Sequence, residues 1–148
     1  MQIRQGGAGV TSTSTTTRDA CAVVVPHDVR SASVARHHLC RDLSAHCVDD
    51  GLANDAELLL SELVGNSVRH ARPLPGGVVR VAWEIASREV VLRVTDGGST
   101  NGHRPQASAA APDAVSGRGL TIVAALAARW GVEPARGGQS VWAVLGAR

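Results

Sequence analysis

The chain has 148 residues, of which 44% are hydrophobic, so it is long enough to fold as one domain around an apolar core. All 15 basic residues are arginine, and the absence of lysine excludes a P-loop, whose lysine must reach the phosphates. The net charge of +2 argues against a nucleic-acid-binding protein that works by neutralising phosphates.

The N-terminal segment differs in composition from the rest of the chain. Residues 1–19 are rich in Gly, Ser and Thr and are predicted to form a flexible tail, followed by a single domain over residues 20–148. The chain has three cysteines in no disulfide-like framework, no signal-peptide pattern and no apolar run of the ~20 residues that a membrane helix needs. These features predict a soluble, cytoplasmic protein.

The first predicted elements are a strand and a helix. Residues Ala22–Pro26 are predicted to form a short edge strand that the proline ends, and Asp28 is predicted to cap a helix over Val29–Cys47. No zinc spacing is present in this helix, so we expect buried cysteines and exposed histidines at His37, His38, Cys40, His46 and Cys47.

A second helix and a hairpin follow. The helix is predicted to begin at Asn54 or Asp55, after a DDG turn, and to end near Ala71, before Arg72-Pro73. Residues Val78–Ala86 alternate with a period of two and predict a strand, with Glu89–Asp96 as its hairpin partner.

The last third of the chain is predicted to contain a loop, a helix and two strands. The loop covers Gly97–Gly119, the helix Leu120–Trp130, and the strands lie near Val132–Pro134 and Ser140–Leu145. This order of elements predicts an α+β fold, a two-layer α/β sandwich in which one mixed sheet has helices on one face.

Three polar groups follow one side of the second helix. Glu62, Asn66 and His70 are spaced four residues apart, which places them in a slanted line beside the apolar face. The line is typical of a pocket rim, but solvated residues next to a core would give the same pattern.

Two glycine-containing clusters follow the hairpin. Asp96 ends an apolar strand before Gly97 and Gly98, an arrangement that fits either a turn or a carboxylate offered to a ligand that the glycines let approach. Gly117 and Gly119 directly precede the predicted helix at Leu120, where free N–H groups could bind an anion; the alternative is a plain glycine-rich loop.

Taken in order, these motifs carry a resemblance. A helical Glu-x-x-x-Asn, a strand-end Asp-x-Gly, a long loop and Gly-x-Gly-Leu opening a helix resemble the GHKL (histidine kinase-like) ATPase superfamily over Ala22–Leu145. The segment GRGLTIVAALAARWGV, followed by GGQSVWAVL, is most similar to the small ATP-binding regulators related to anti-sigma-factor serine kinases. The resemblance implies a Bergerat-type ATP-binding fold with ATP and Mg²⁺ as cofactors.

The resemblance also implies roles for individual residues. Asn66 would coordinate Mg²⁺, Glu62 would act as general base, and Asp96, with Gly98 beside it, would accept a hydrogen bond from the adenine amino group. Gly117 and Gly119 would bind the phosphates through their N–H groups, with the cation of Arg118 between them. Leu120 completes this motif, and Ser140 would lie near the adenine, while Gln139 stands where a lysine is expected.

Two functions follow from the resemblance. The favoured one is an ATP-binding regulator that phosphorylates a serine or threonine of an anti-anti-sigma (STAS-type) protein. The alternative is a catalytically weak ATP-dependent module that sequesters a sigma factor or another regulator. A sensor-kinase catalytic domain is disfavoured because the chain has no room for a phosphoacceptor helix pair. Neither nucleic acid nor membrane is expected as a partner, and a homodimer is left open.

Overall fold

The computed structural model describes residues 18–99 and 115–146, with the backbone alone for residues 115–120. The elements in chain order are β1 (Asp19–Pro26), α1 (Ser31–Ala45), α2 (Asp50–His70), β2 (Val78–Ala86), β3 (Glu89–Asp96), α3 (Val115–Leu126), β4 (Arg129–Ala135) and β5 (Gly138–Gly146).

The strands form one five-stranded sheet in the order β1-β2-β3-β5-β4. The predicted α+β class is confirmed, but the prediction of a mixed sheet is wrong, because all four pairings are antiparallel. The crossover through α3 gives β4 the same direction as β3, yet the β4–β5 hairpin folds back so that β5 lies between them. No two parallel strands are therefore neighbours among the described strands.

The sheet is covered by helices on one face, where the core lies. Alternate residues of β2, β3 and β5 point into this core and are almost fully buried: Val79, Val81, Trp83, Ile85, Val90, Leu92, Val94, Val141, Ala143 and Leu145. From α2 the core receives Leu59, Leu60, Leu63 and Val64. Trp83 is the one aromatic residue of this set, and its indole N–H donates to Asp42 of α1 at 2.8 Å, as a buried tryptophan N–H requires a partner.

Both N-terminal helices begin at other residues than predicted. The carboxylate of Asp28 accepts from the N–H of Arg30 at 2.8 Å, and α1 starts at Ser31, so Asp28 forms the preceding turn and does not cap the helix. Helix α2 starts at Asp50, four or five residues before the predicted start, because Asp49 caps it by accepting from the N–H of Leu52 at 3.1 Å. The DDG sequence is therefore a helix cap and first turn.

The other predicted segments are confirmed or corrected as follows. Strand β1 is an edge strand, as expected, and it begins at Asp19 within the segment predicted as a tail, whose residues 1–17 lie outside the described residues. Helix α3 begins at Val115, which shortens the predicted loop, and residues 100–114 of that loop are not described. Cys40 and Cys47 are exposed, so the expectation that they are buried is wrong, whereas the expected exposure of the three histidines near them is confirmed.

No helix within the described ranges is long and apolar enough to cross a membrane.

Candidate functional site

Helix α2 carries the predicted catalytic and metal-binding residues one turn apart. Glu62 and Asn66 are both half-buried, at the border between the core-facing and solvent-facing sides of the helix. The amide oxygen of Asn66 accepts a hydrogen bond from Arg69 at 3.1 Å. The same guanidinium lies over Gly65, where a Cβ would be 3.0 Å from Arg69 Nη1. A hard oxygen ligand and a cation are therefore adjacent on this side of α2.

Asp96 is the second centre of the site, at the end of β3. Its side chain is held from two directions: Ser67 of α2 donates to Oδ2 at 2.5 Å, and the N–H of Gly98 donates to Oδ1 at 2.8 Å. Asp96 is only 3% exposed and Ser67 5%. Since Ser67 follows Asn66 in the chain, these contacts join the strand-end carboxylate to the helix that carries Glu62 and Asn66.

The electrostatics of Asp96 are set mainly by its burial. Burial raises the pKa of the Asp96 carboxyl above its ordinary value, because an ionised carboxylate loses hydration there. The hydrogen bonds from Ser67 and Gly98, and the charge of His27, act in the opposite direction on this pKa. The net shift is upward, so ionisation of this carboxyl is less favourable than in water, a feature that is common at functional sites.

His27 fixes the end of the helix that carries Ser67. Its Nε2 atom lies 2.9 Å from the carbonyl oxygen of Ala71 and 3.2 Å from that of Ser67. The carbonyl of Ser67 also accepts from the N–H of Ala71 at 3.1 Å, so the imidazole adds a second contact there and ties this helix end to the segment after β1. His70, the third member of the predicted polar line, is the last residue of α2 and is half-buried.

The glycines next to Asp96 serve contacts between backbone segments. A Cβ on Gly97 would lie 2.3 Å from the carbonyl oxygen of Pro73, and the N–H of Gly97 donates to Arg72 at 2.7 Å. A Cβ on Gly138 would lie 1.8 Å from the carbonyl oxygen of Asp96. Gly98 has φ +94°, a conformation that favours glycine. Close packing of the chain on itself therefore explains Gly97, where the sequence suggested room for a ligand.

The structure does not bring Ser140 to the carboxylate of Asp96. Ser140 is the register partner of Thr95, and the two hydroxyl groups lie 2.6 Å apart. Because successive residues of a strand point to opposite faces, Thr95 and Ser140 lie on the sheet face away from α2, while Asp96 points toward α2. Gln139, 9% exposed, is the residue directly opposite Asp96.

The predicted phosphate-binding segment lies in the first turns of α3. Gly117, Arg118, Gly119 and Leu120 are helical, and α3 packs against α2. The first four N–H groups of a helix, counted from its N-cap, are free of intrahelical bonds, and among the described residues of α3 these are the groups of residues 115–117. The N–H of Gly117 thus belongs to the free set, whereas that of Gly119 is in position to bond within the helix.

No group of three or more His, Cys, Asp or Glu side chains in the described part of the chain is arranged to hold a metal ion. A magnesium ion held by one amide, water and phosphates needs no such group, because Mg²⁺ keeps several waters and takes few protein ligands.

Comparison with known proteins bears on this arrangement. A model of the histidine kinase-like ATPase domain matches residues 25–145, which include Glu62, Asn66 and Asp96. The chain belongs to the histidine kinase-like ATPase family. The family assignment implies ATP as the ligand of this domain.

A solved structure shows the same fold. The crystal structure of the RsbU and RsbW domains of Rv1364c from Mycobacterium tuberculosis is similar with a TM-score of 0.62 and 20% identity, over 88% of this chain and 32% of that one. This histidine kinase-like ATPase domain therefore spans about a third of the length of that chain. No curated protein matches.

Ser67 and His27 were not predicted from the sequence as residues of the site. Ser67 lies three residues after the buried Val64, so it falls on the apolar side of α2. A polar residue at such a core-facing position could have indicated a buried hydrogen bond. His27 gave no signal, because its partners are carbonyl groups about 40 residues away in the chain.

Proposed function

We propose that this histidine kinase-like ATPase domain is an ATP-binding regulator that phosphorylates a serine or threonine of an anti-anti-sigma (STAS-type) protein. The observation that carries the proposal is the buried carboxylate of Asp96, which is joined through Ser67 to the helix with Glu62 and Asn66. The likeness to a structure that contains an RsbW domain supports the regulatory role.

In this proposal, Asp96 binds the adenine amino group. An ionised carboxylate only accepts hydrogen bonds and has about four lone-pair positions, of which Ser67 and Gly98 use two. The remaining positions suit an amino group, and excluding water strengthens such a bond. The energetic cost of burying Asp96 is then offset when the nucleotide binds.

Asn66 and the start of α3 would hold the phosphate end. The amide oxygen of Asn66 has the chemistry that Mg²⁺ prefers, and the hydrogen bond from Arg69 uses only one of its two lone pairs. When bound, Mg²⁺ neutralises developing charge on the phosphates. Gly117 would contribute its free N–H group, and Gly119 the absence of a side chain close to the phosphates, with Arg118 as the adjacent cation.

Glu62 would act as general base, one helical turn from Asn66. It would take the proton of the partner's hydroxyl group as that oxygen bonds to the γ-phosphorus, while the bond from this phosphorus to the β–γ bridging oxygen breaks and ADP leaves. A half-buried carboxylate at the rim of the site is accessible to a hydroxyl group on another protein.

The experiment separates binding from transfer. Glu62→Gln should leave Mg-ATP affinity within about twofold while transfer from γ-labelled ATP to STAS-type proteins of the same genome falls about 100-fold or more. Asn66→Ala should weaken Mg-ATP binding about tenfold or more by calorimetry. The matched controls on the same helix are Glu57→Gln and Asn54→Ala, and both should behave as wild type. Unchanged transfer in Glu62→Gln would contradict the proposed role.

The alternative is a catalytically weak module that sequesters a sigma factor in an ATP-dependent way. The residue Gln139 favours this alternative, because it stands where a lysine is expected and its neutral amide supplies no positive charge to the site. The chain has no lysine elsewhere that could supply it. In that case the wild type binds Mg-ATP but transfers no label to any STAS-type protein, and Glu62→Gln still binds a sigma factor in the presence of ATP.

A further inference from the structure

The two serines of α2 at positions 61 and 67 use their hydroxyl groups differently. Ser61 donates to the carbonyl oxygen of Glu57 at 3.0 Å, the bond to the preceding turn that helical serines commonly make. Ser67 donates across to the carboxylate of Asp96 on β3, at 2.5 Å and away from water. A serine that forgoes the local bond for a buried carboxylate has its side-chain direction set by that carboxylate.

The contact restrains Asp96 at both oxygens. Ser67 binds Oδ2 and the N–H of Gly98 binds Oδ1, so the carboxylate cannot rotate about its terminal torsion without breaking both hydrogen bonds. The helix end that presents Ser67 is itself held by His27 through the carbonyl groups of Ser67 and Ala71. Each remaining lone pair of Asp96 therefore has a defined direction before any ligand arrives.

We propose that Ser67 is a positioning residue for base recognition, which directs the carboxylate of Asp96 toward the 6-amino group of the bound purine. This inference rests on the proposed ATP site and adds to it a residue that sets the discrimination between purines. A hydrogen bond to a charged acceptor pre-aligned in this way needs no reorganisation on binding, and such bonds are the stronger ones.

The proposal predicts that the effect of Ser67 depends on the amino group of the ligand. Purine riboside 5′-triphosphate has the phosphates and ribose of ATP but no 6-amino group, so it forms no hydrogen bond through which Ser67 could act. Ser67→Ala should lower the affinity for ATP about tenfold, which is the size expected for a hydrogen bond to a charged group. The same substitution should change the affinity for the analogue less than about twofold.

The experiment is calorimetric titration of both Mg-nucleotides into the full chain as wild type, Ser67→Ala and Ser61→Ala. Alanine is the best helix former, so Ser67→Ala should fold; if it is too unstable to titrate, Ser67→Cys keeps a weak donor and takes its place. Ser61→Ala is the matched control, and it should bind both nucleotides as the wild type does.

The outcomes are distinct. An ATP-specific loss in the Ser67 variant supports the inference. Equal losses for ATP and the analogue would overturn it in favour of a purely structural clamp between α2 and β3, and no loss for either would overturn it outright. A wild type that binds neither nucleotide would instead overturn the proposed function itself.

Discussion

Two buried polar pairs occupy adjacent positions on β3 and point to opposite faces of the sheet. Asp96 receives a hydrogen bond from Ser67 on the helix side at 2.5 Å, and Thr95 bonds Ser140 on the other face at 2.6 Å. Both pairs are almost inaccessible to water. The hydroxyl pair is neutral and is joined by one hydrogen bond, whereas burial raises the pKa of Asp96 and makes its ionisation less favourable.

This difference in charge shows that fold stability alone would favour the hydroxyl pair over the carboxylate. A neutral hydroxyl pair joined by one hydrogen bond is buried at little cost, so contacts within the fold account for it. A buried carboxylate that accepts hydrogen bonds only from neutral donors could be exchanged for an amide without loss of fold stability. Its charge is useful only if a ligand outside the chain binds it. The histidine kinase-like ATPase domain thus has, on neighbouring residues, a pair that the fold explains and a pair that we propose serves a ligand.

The largest effect is expected from filling the space beside Asp96. Gly138→Ala places a methyl group against the carbonyl oxygen of Asp96, so β5 must shift, with a cost of about 1–3 kcal/mol in the free energy of unfolding and a loss of ATP binding. Gly146→Ala is the control on the same strand, since nothing lies within 4 Å of its added Cβ. Urea denaturation measures both, and equal stabilities of the two variants would contradict the packing described here.

Asp96→Asn should change stability and binding in opposite directions. Because burial raises the pKa of Asp96, the ionised side chain lowers the stability of the unliganded protein at pH values above its folded pKa. The amide removes this penalty, so the melting temperature at pH 8 should rise, and the gain should shrink as the pH falls through that pKa. A melting temperature that falls at pH 8 would mean that the charge of Asp96 stabilises the unliganded fold.

Ser140→Ala should affect only stability, and modestly. The variant leaves the hydroxyl group of Thr95 without its partner on the face away from α2, at a cost of about 1 kcal/mol in the free energy of unfolding. Its ATP affinity should stay within about twofold of wild type. Chemical denaturation combined with nucleotide titration tests this prediction. A tenfold loss of ATP affinity would contradict it and would show that Ser140 acts at the adenine site.

The sequence predicted best what depends on local alternation. The hairpin strands Val78–Ala86 and Glu89–Asp96 have the predicted bounds, because a period of two between turn residues leaves few alternatives. The starts of α1 and α2 were missed because Asp28, predicted as a cap, and Asp49, predicted to lie in a turn, look alike in sequence, and only Asp49 caps a helix.

The candidate site was predicted in part. Glu62, Asn66 and Asp96 lie on the two elements that the hydrogen bond of Ser67 joins. The face of Ser140 could not be read from the sequence, because it depends on the register between β5 and β3, and a shift of one residue turns every side chain to the other face. The contact of Ser67 with Asp96 spans 29 residues, so no local pattern predicts it.

The most direct test of the contrast between the two pairs is a calorimetric titration of Mg-ATP into three forms of the protein: wild type, Asp96→Asn and Ser140→Ala. We predict that wild type and Ser140→Ala bind with the same affinity within about twofold, and that Asp96→Asn binds about 10- to 100-fold more weakly. Equal affinities in all three forms, or equal losses in both variants, would contradict the assignment of the nucleotide to the α2 side of β3.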